Sequence, residues 1–309
     1  MNKPELLVTP TTVDDIIPLA EAGADAFVIG EQKFGLRLAG EFNRADAKKA
    51  IELAHSKGKK AYIAMNAIFH NDKLEDLKEY MGFAVSSGAD AVVFGDPAVL
   101  MTAKEIAPDM KLHWSTETTA TNWYTCNYWG RKGAKRAVLA REINMDAIVE
   151  IKENAEVEIE VQVHGMTCMF QSKRTLLGNY FEYQGKALEI ENRKEQKNMF
   201  LHDKERENKY PIFEDVNGTH IMSPNDICII DELQEMVEAG VDSFKIDGIL
   251  KSPEYILAVT KAYRRAIDLL IEDPDAYEDE KDALLSEVES VQSANRPLDT
   301  GFFFKETVY

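Results

Sequence analysis

The feature that most constrains this chain is a repeated beat: a short apolar run, a helical pattern, then a glycine stop. Glu5-Leu6-Leu7-Val8-Thr9 reads as a strand, followed by a helix from Thr12 to Ala22 that Gly23 closes. Asp25–Gly30, Lys60–Asn66 and Asp90–Gly95 repeat the pattern, with helices over 45–56 and 74–86 stopped by Gly58 and Gly88 and a short helix opening near Pro97. Lys111–Ser115, Arg136–Ala140 and Glu158–His164 continue it, separated by helices over 122–132 and 145–154. The last unit is a helix over 233–238, Gly240, the strand Ser243–Asp247 and a helix over 253–270. Runs apolar on both sides are what a parallel sheet buried on both faces requires, and strict β/α alternation makes an α/β fold. Eight units predict a closed (β/α)8 TIM-type barrel; an open doubly wound sheet is the alternative.

Two regions break the beat. About sixty residues, 165–222, intervene after the seventh strand, and loops of that length inside a compact domain are usually functional. Their middle, Glu189–Lys209, is highly charged and without apolar period, and reads as a mobile lid or a partly disordered segment. The second break is an acidic stretch over 272–289, expected as a solvated helix, that leads to the apolar Gly301-Phe302-Phe303-Phe304. The expected division is therefore a barrel over 1–270 with its insertion, and an extension over 271–309 whose phenylalanines dock on the barrel or on a partner.

Composition narrows the function. The formal net charge is -18, which repels phosphate at long range, so a nucleic-acid role needs a local basic patch or a partner subunit. Three cysteines, none at CxxC spacing, give neither a disulfide framework nor a self-contained metal motif. No run approaches the ~20 apolar residues that span a bilayer. The first residues lack a signal peptide's apolar core, so the expected location is the cytoplasm, with no membrane partner.

In a barrel of this type, polar residues just after the strands converge on one rim. Here they are Asn66 and His70, Asp96, Ser115-Thr116-Glu117, Arg141-Glu142, His164, and Asp247 with Lys251. Asp96 before Pro97 also reads as a helix cap, and Arg141 with Glu142 as a simple ion pair. His164 ends a buried strand four residues before Cys168, which suits a nucleophile pair, a metal site or a hydrogen-bonded structural histidine. GxSxG, HExxH and Gly-rich phosphate loops are absent from the sequence.

His164-Gly165-Met166-Thr167-Cys168, followed by Ser172-Lys173-Arg174-Thr175-Leu176-Leu177-Gly178-Asn179-Tyr180, resembles the signature segment of peptidase family U32, the collagenase-like proteins. Gly23-Ala24-Asp25-Ala26 through Phe34-Gly35-Leu36-Arg37, Asn66–Asn71, Gly88–Pro97, Ala140-Arg141-Glu142, Gly240–Gly248 with Lys251–Tyr255, and Thr300-Gly301-Phe302 extend the likeness along the chain. The resemblance implies a TIM-type barrel. It also implies one of two activities: a collagenase-like peptidase, or oxygen-independent hydroxylation of the tRNA wobble uridine with prephenate as hydroxyl source.

Hydroxylating members are similar in holding an iron–sulfur cluster on four cysteines. This chain departs from them. Cys168 matches the first position and Cys228 the fourth, Thr175 stands at the second, and Glu189–Arg206 contains no cysteine. Ile249 replaces a usual arginine, and Glu117 a common glutamine. The resemblance thus points to a short paralogue that has lost the cluster and pairs with a longer, cluster-bearing member that holds the tRNA; a homo-oligomer stays open. Implied substrate-binding residues are Arg37, Asn66, His70, Glu117, Arg141, Asp247 and Lys251, and implied catalytic residues are His164, Glu142 and Cys168.

Overall fold

The computed structural model describes residues 2–186, 199–205 and 207–306. In chain order the first strands and helices are β1 (Glu5–Val8), α1 (Ile16–Glu21), β2 (Ala26–Ile29), α2 (Arg44–Ser56), β3 (Lys60–Met65), α3 (Leu74–Ser86), β4 (Ala91–Phe94) and α4 (Pro97–Ile106). Then come β5 (Leu112–Trp114), α5 (Trp123–Lys132), β6 (Ala134–Val138), α6 (Met145–Asn154) and β7 (Glu158–Gly165). The insertion carries β8 (Cys168–Ser172), α7 (Leu176–Tyr183), β9 (Phe200–Asp203), β10 (Asn208–Asp215) and β11 (Gly218–Met222). The chain returns through β12 (Asp226–Cys228), α8 (Gln234–Ala239), β13 (Ser243–Ile246), α9 (Pro253–Glu272), α10 (Pro274–Val291) and β14 (Leu298–Asp299).

Strands β1 to β7 pair in parallel in sequence order, and β13 closes the ring by pairing in parallel with both β7 and β1. This is the (β/α)8 barrel that the alternation predicts. Four helices start where expected because their caps are in the sequence: Asn43, Asp96, Asn122 and Asn144 each accept a backbone N–H of the first turn. The sixth strand begins two residues earlier than expected, since Ala134 already pairs with Leu112.

The insertion differs from its expectation. It is a four-stranded antiparallel sheet in the order β8-β11-β10-β9, with α7 held to it by hydrogen bonds from Leu177 N and Gly178 N to the Glu214 carboxylate. Part of the charged segment expected to lack order, 200–203 and 208–209, lies in strands, because β10 supplies backbone partners that local composition does not reveal. Residues 187–198 of that segment lie outside the described residues. The acidic tail is the helix expected of it, exposed over most of its length. Helix α10 buries Tyr277, Leu284 and Val288 against the barrel core, and the Tyr277 hydroxyl donates to the Ile230 carbonyl. Of the three phenylalanines, Phe303 is buried and its carbonyl accepts from Met145 N; Phe302 and Phe304 are exposed.

The barrel has two unlike layers. The outer faces of the strands pack against the helices in one large apolar core, while the lumen holds only a small apolar patch around Leu7, Ala26, Tyr62, Ala91 and Val93. The rest of the lumen is ionic. Arg136 from β6 donates across it to Glu5 of β1 at 2.6 Å and bonds Glu160 of β7 at 3.3 Å. Tyr62 and Ser243 also donate to Glu5, at 2.7 and 3.2 Å. Burial would raise the Glu5 carboxyl, but Arg136 outweighs it and holds the group at about 2.

Candidate functional site

Above this lumen, at the C-terminal ends of the strands, charged side chains converge. Arg37 reaches in from the loop after β2 and is buried. Its guanidinium pairs with Glu117, which follows β5, and its Nη1 lies 3.4 Å from Nδ1 of His220 on β11. Arginine can only donate, so His220 Nδ1 accepts and its Nε2–H donates to Asp215 at 2.9 Å. Arg141, after β6, completes the arrangement with a bond to the other Glu117 oxygen at 3.2 Å. Asp247 at the end of β13 pairs with Lys245 at 3.0 Å. The chain Asp215–His220–Arg37–Glu117–Arg141 therefore ties the inserted sheet to three barrel loops.

Electrostatics keep this cluster charged. Burial alone would raise the Glu117 carboxyl, but Arg141 and Arg37 overcome it and hold the group well below the ordinary carboxylate range. Burial also disfavours a charged Arg37, and Glu117 reverses that, so its guanidinium stays protonated. Two guanidiniums, Arg37 and Arg141, share one carboxylate, Glu117, and Lys245 pairs with Asp247, while Asp215 behind His220 and Glu160 in the lumen balance the remaining charge; what the mouth offers a carboxylate or phosphate is guanidinium donors rather than a net charge. Arg37 and Glu117 both sit in the left-handed backbone region, at φ 49° and 65°, which non-glycine residues adopt at a cost of ~1–3 kcal/mol. Both partners of the ion pair are thus strained.

Two spaces open on the cluster. One is a chamber of about 40 Å³ inside the mouth, lined by Arg37, Glu117, Arg141, Glu160, Lys245 and Asp247, large enough only for a water-sized guest. Its roof is apolar: Met166, Met222 and Ile249 pack together there, with Met166 held by a hydrogen bond from Gln162 to its carbonyl. The other is an open cleft of about 500 Å³ between the rim and β8. Its floor holds Arg37, Glu117, Asn66 and Ser115, and its wall holds Cys168 with the exposed Met169 and Phe170.

The structure thus brings Arg37, Asn66, Glu117, Arg141, Asp247 and Cys168 together. Asn66 accepts from Leu36 N and so fixes the loop that carries Arg37. Four other expected site residues are placed elsewhere. Lys251 is bound to the buried carboxylate of Asp226, which also takes Arg296 and Gln292, so its charge is spent in a structural cluster. His70 and Glu142 are exposed and line neither space.

His164 is fully buried, bonds the Tyr255 hydroxyl at 2.7 Å through Nε2 and packs edge-on against Tyr263, behind the barrel wall. A register shift opposite β13, between Gln162 and His164, re-aims it toward α9 instead of the lumen. Burial lowers it to about 3, so it is neutral and enclosed, and it does not serve the cleft as a proton-transfer group. Cys168 donates to the Phe170 carbonyl, and burial pushes its thiol up despite Arg37. Among the described residues no hydrogen bond joins it to a histidine. Sequence reasoning missed Lys245, Glu160, His220 and Asp215; the alternation of inward and outward residues along β7 and β13 carries the signal for the first two.

The cluster-bearing members that the chain resembles pose a question of fit. A four-thiolate iron–sulfur cluster needs four cysteines and this chain has three. Cys126 is buried on α5, and Cys228 lies 3.7 Å from the Tyr263 hydroxyl with its thiol pushed up to about 11 by burial. Thr175 caps α7. No group of three or more His, Cys, Asp or Glu among the described residues is placed to hold a metal ion. The residues present do not fit the cluster.

Fold and cleft together define a TIM-barrel protein whose binding site is built by βα loops and a sheet inserted after the seventh strand. The chain belongs to peptidase family U32, whose family model matches residues 11–308. It is 70% identical over 309 residues, all of both chains, to tRNA hydroxylation protein P2 of Bacillus subtilis (strain 168). It is 31% identical to tRNA hydroxylation protein P1 of the same organism, over 98% of this chain and 71% of that protein. It is 28% identical to a collagenase of Porphyromonas gingivalis (strain ATCC BAA-308 / W83), over 87% of this chain and 66% of that one.

Proposed function

We propose that this chain is a subunit of a tRNA wobble-uridine hydroxylation system, working beside a longer family U32 paralogue in the cytoplasm. The observation that carries the reading is the end-to-end identity of 70% with a protein named for tRNA hydroxylation. The cleft is consistent with it. An exposed wall of Met169 and Phe170 offers apolar surface to a flat base. The guanidiniums of Arg37 and Arg141, held by Glu117, offer donors to a carboxylate-bearing co-substrate such as prephenate. The missing thiolates assign any cluster chemistry to the paralogue.

The collagenase-like reading has a family name and a relative behind it, but the site lacks its chemistry. Cys168 is held as a thiol, and His164 is enclosed against Tyr255. The test is deletion of this gene together with that of the longer paralogue, followed by mass spectrometry of tRNA nucleosides. Loss of hydroxyuridine is expected, restored by both genes together. Unchanged hydroxyuridine in the double deletion refutes the reading. So does peptide cleavage by the purified chain that disappears in Cys168→Ala.

A further inference from the structure

Beside the cleft runs a second, larger groove of about 920 Å³. It lies between the loops after β2 and β3, the β10–β11 turn and the β13–α9 loop. Its charge is the reverse of the chain's. Four lysines line it, Lys33, Lys73, Lys173 and Lys251, against one carboxylate, Glu41, whereas the whole chain has 36 basic and 54 acidic residues. Lys251 is committed to Asp226. The other three are available. Lys33 pairs with the half-buried Asp76 at 2.7 Å and stands over the Phe34 ring, and Lys73 pairs with the exposed Asp72 at 3.5 Å; such surface pairs are weak enough to exchange for another anion. Lys173 donates to the Ile68 carbonyl at 3.0 Å and has no carboxylate partner among the described residues.

The apolar part of the groove is equally specific in place. Ile68 and Val216 are 54% and 68% exposed on its surface. Ile68 also lines the cleft, so the two spaces adjoin there, and Lys173 donates to its carbonyl. A cationic groove that tracks the backbone is how proteins hold single-stranded nucleic acid without reading its sequence.

We propose that this groove binds the phosphodiester backbone of the RNA strand flanking the base that enters the cleft, through Lys33, Lys73 and Lys173. This rests on the tRNA reading above and adds that this acidic chain itself grips the RNA, beyond any contact the paralogue makes. A net charge of -18 repels anions at long range, and the groove is a local exception to it.

The test is the triple variant Lys33→Gln, Lys73→Gln, Lys173→Gln of the full chain, with unchanged melting temperature as the check on folding. Binding of a labelled anticodon stem–loop RNA is followed by anisotropy across salt concentrations, and the wild-type gene or the variant is returned, each together with the paralogue's gene, to the double-deletion strain. Each phosphate contact with single-stranded RNA contributes a salt slope of about -0.7, so the variant's slope falls by about 2 and its affinity at low salt by about tenfold or more. Hydroxyuridine in the complemented strain falls with it. Wild-type affinity and slope in the variant overturn the proposal, as does absence of RNA binding by the wild-type chain. Equal competition by polyglutamate overturns the assignment to RNA. If the wild-type gene restores hydroxyuridine and the variant restores it equally, the groove alone is refuted and the tRNA reading stands. If the wild-type gene restores nothing, both fall.

Discussion

Replacing Arg37 with methionine keeps the length of the side chain and removes its charge. Glu117 is then left with Arg141 alone, at 3.2 Å, and His220 Nδ1 loses its donor. Removing one partner of a buried ion pair costs about 3–5 kcal/mol, because the other charge stays buried without compensation. The retained Arg141 places the expected loss at the lower end, about 3 kcal/mol. For 309 residues, an unfolding entropy of about 2.1 cal/mol/K per residue converts that to a fall of about 5 °C in melting temperature. The assay is urea and thermal unfolding of the wild type, Arg37→Met, Glu117→Gln and the double variant, read as a cycle. The double variant is expected to be less destabilised than the two losses summed, by at least about 1 kcal/mol.

The pH dependence gives an independent reading. Glu117 is held below its ordinary range, so its contribution is present above the ordinary carboxylate pKa of about 4.5 and is lost as pH falls from there. Arg37→Met shrinks that acid-side loss. A change of under 1 °C, additive with Glu117→Gln and with an unaltered acid slope, would refute the claim that this is a buried, coupled network.

Other expectations are as direct. Two of the buried histidines, His113 and His164, are lowered to about 3 by burial, so their stability contribution is complete above the unfolded value of 6.5 and is lost as pH falls below it. Each accounts for about 2 kcal/mol between pH 7 and pH 5, and His164→Phe should flatten that part of the curve in urea titrations. Cys168 should alkylate slowly at pH 7 and faster only above its ordinary range; rapid labelling at pH 6 would mean a thiolate that the site does not support. Gly165→Ala should cost more than about 3 kcal/mol in chemical unfolding, since φ is +105° and the new Cβ would meet the Asp247 carbonyl oxygen at 2.2 Å. Asp226→Ala should loosen the C-terminal segment that Arg296 and Gln292 anchor, read as faster amide hydrogen exchange over residues 292–301.

The barrel was readable because its signals are local. Strand runs, Asn and Asp caps and glycine stops lie within a dozen residues of one another, and β13 was found although an insertion separates it from β7. The inserted sheet was not readable, because β8 to β11 are mixed in polarity and owe their state to each other. Residues at strand ends announced the mouth of the barrel: Asn66, Glu117, Arg141 and Asp247 all line its chamber. His164 looked equally convincing, and only the shifted register beside β13 turns it outward. The partners of Arg37 come from the loop after β5 and from β11, and nothing local connects those positions.

The ionic lumen has a consequence for how the barrel closes. Inward and outward residues alternate, so sliding any of β1, β6, β7 or β13 by one position would exchange its two faces. Arg136, Glu5, Glu160 and Lys245 would then be driven into the apolar shell beneath the helices, each stripped of its partner. A barrel lined with valine and isoleucine would meet no such barrier to slipping. Here the misaligned ring carries several unpaired charges in hydrocarbon, so the salt bridges across the lumen act as a ratchet for shear: they admit one alignment of the eight strands, and with it one placement of every residue at the mouth.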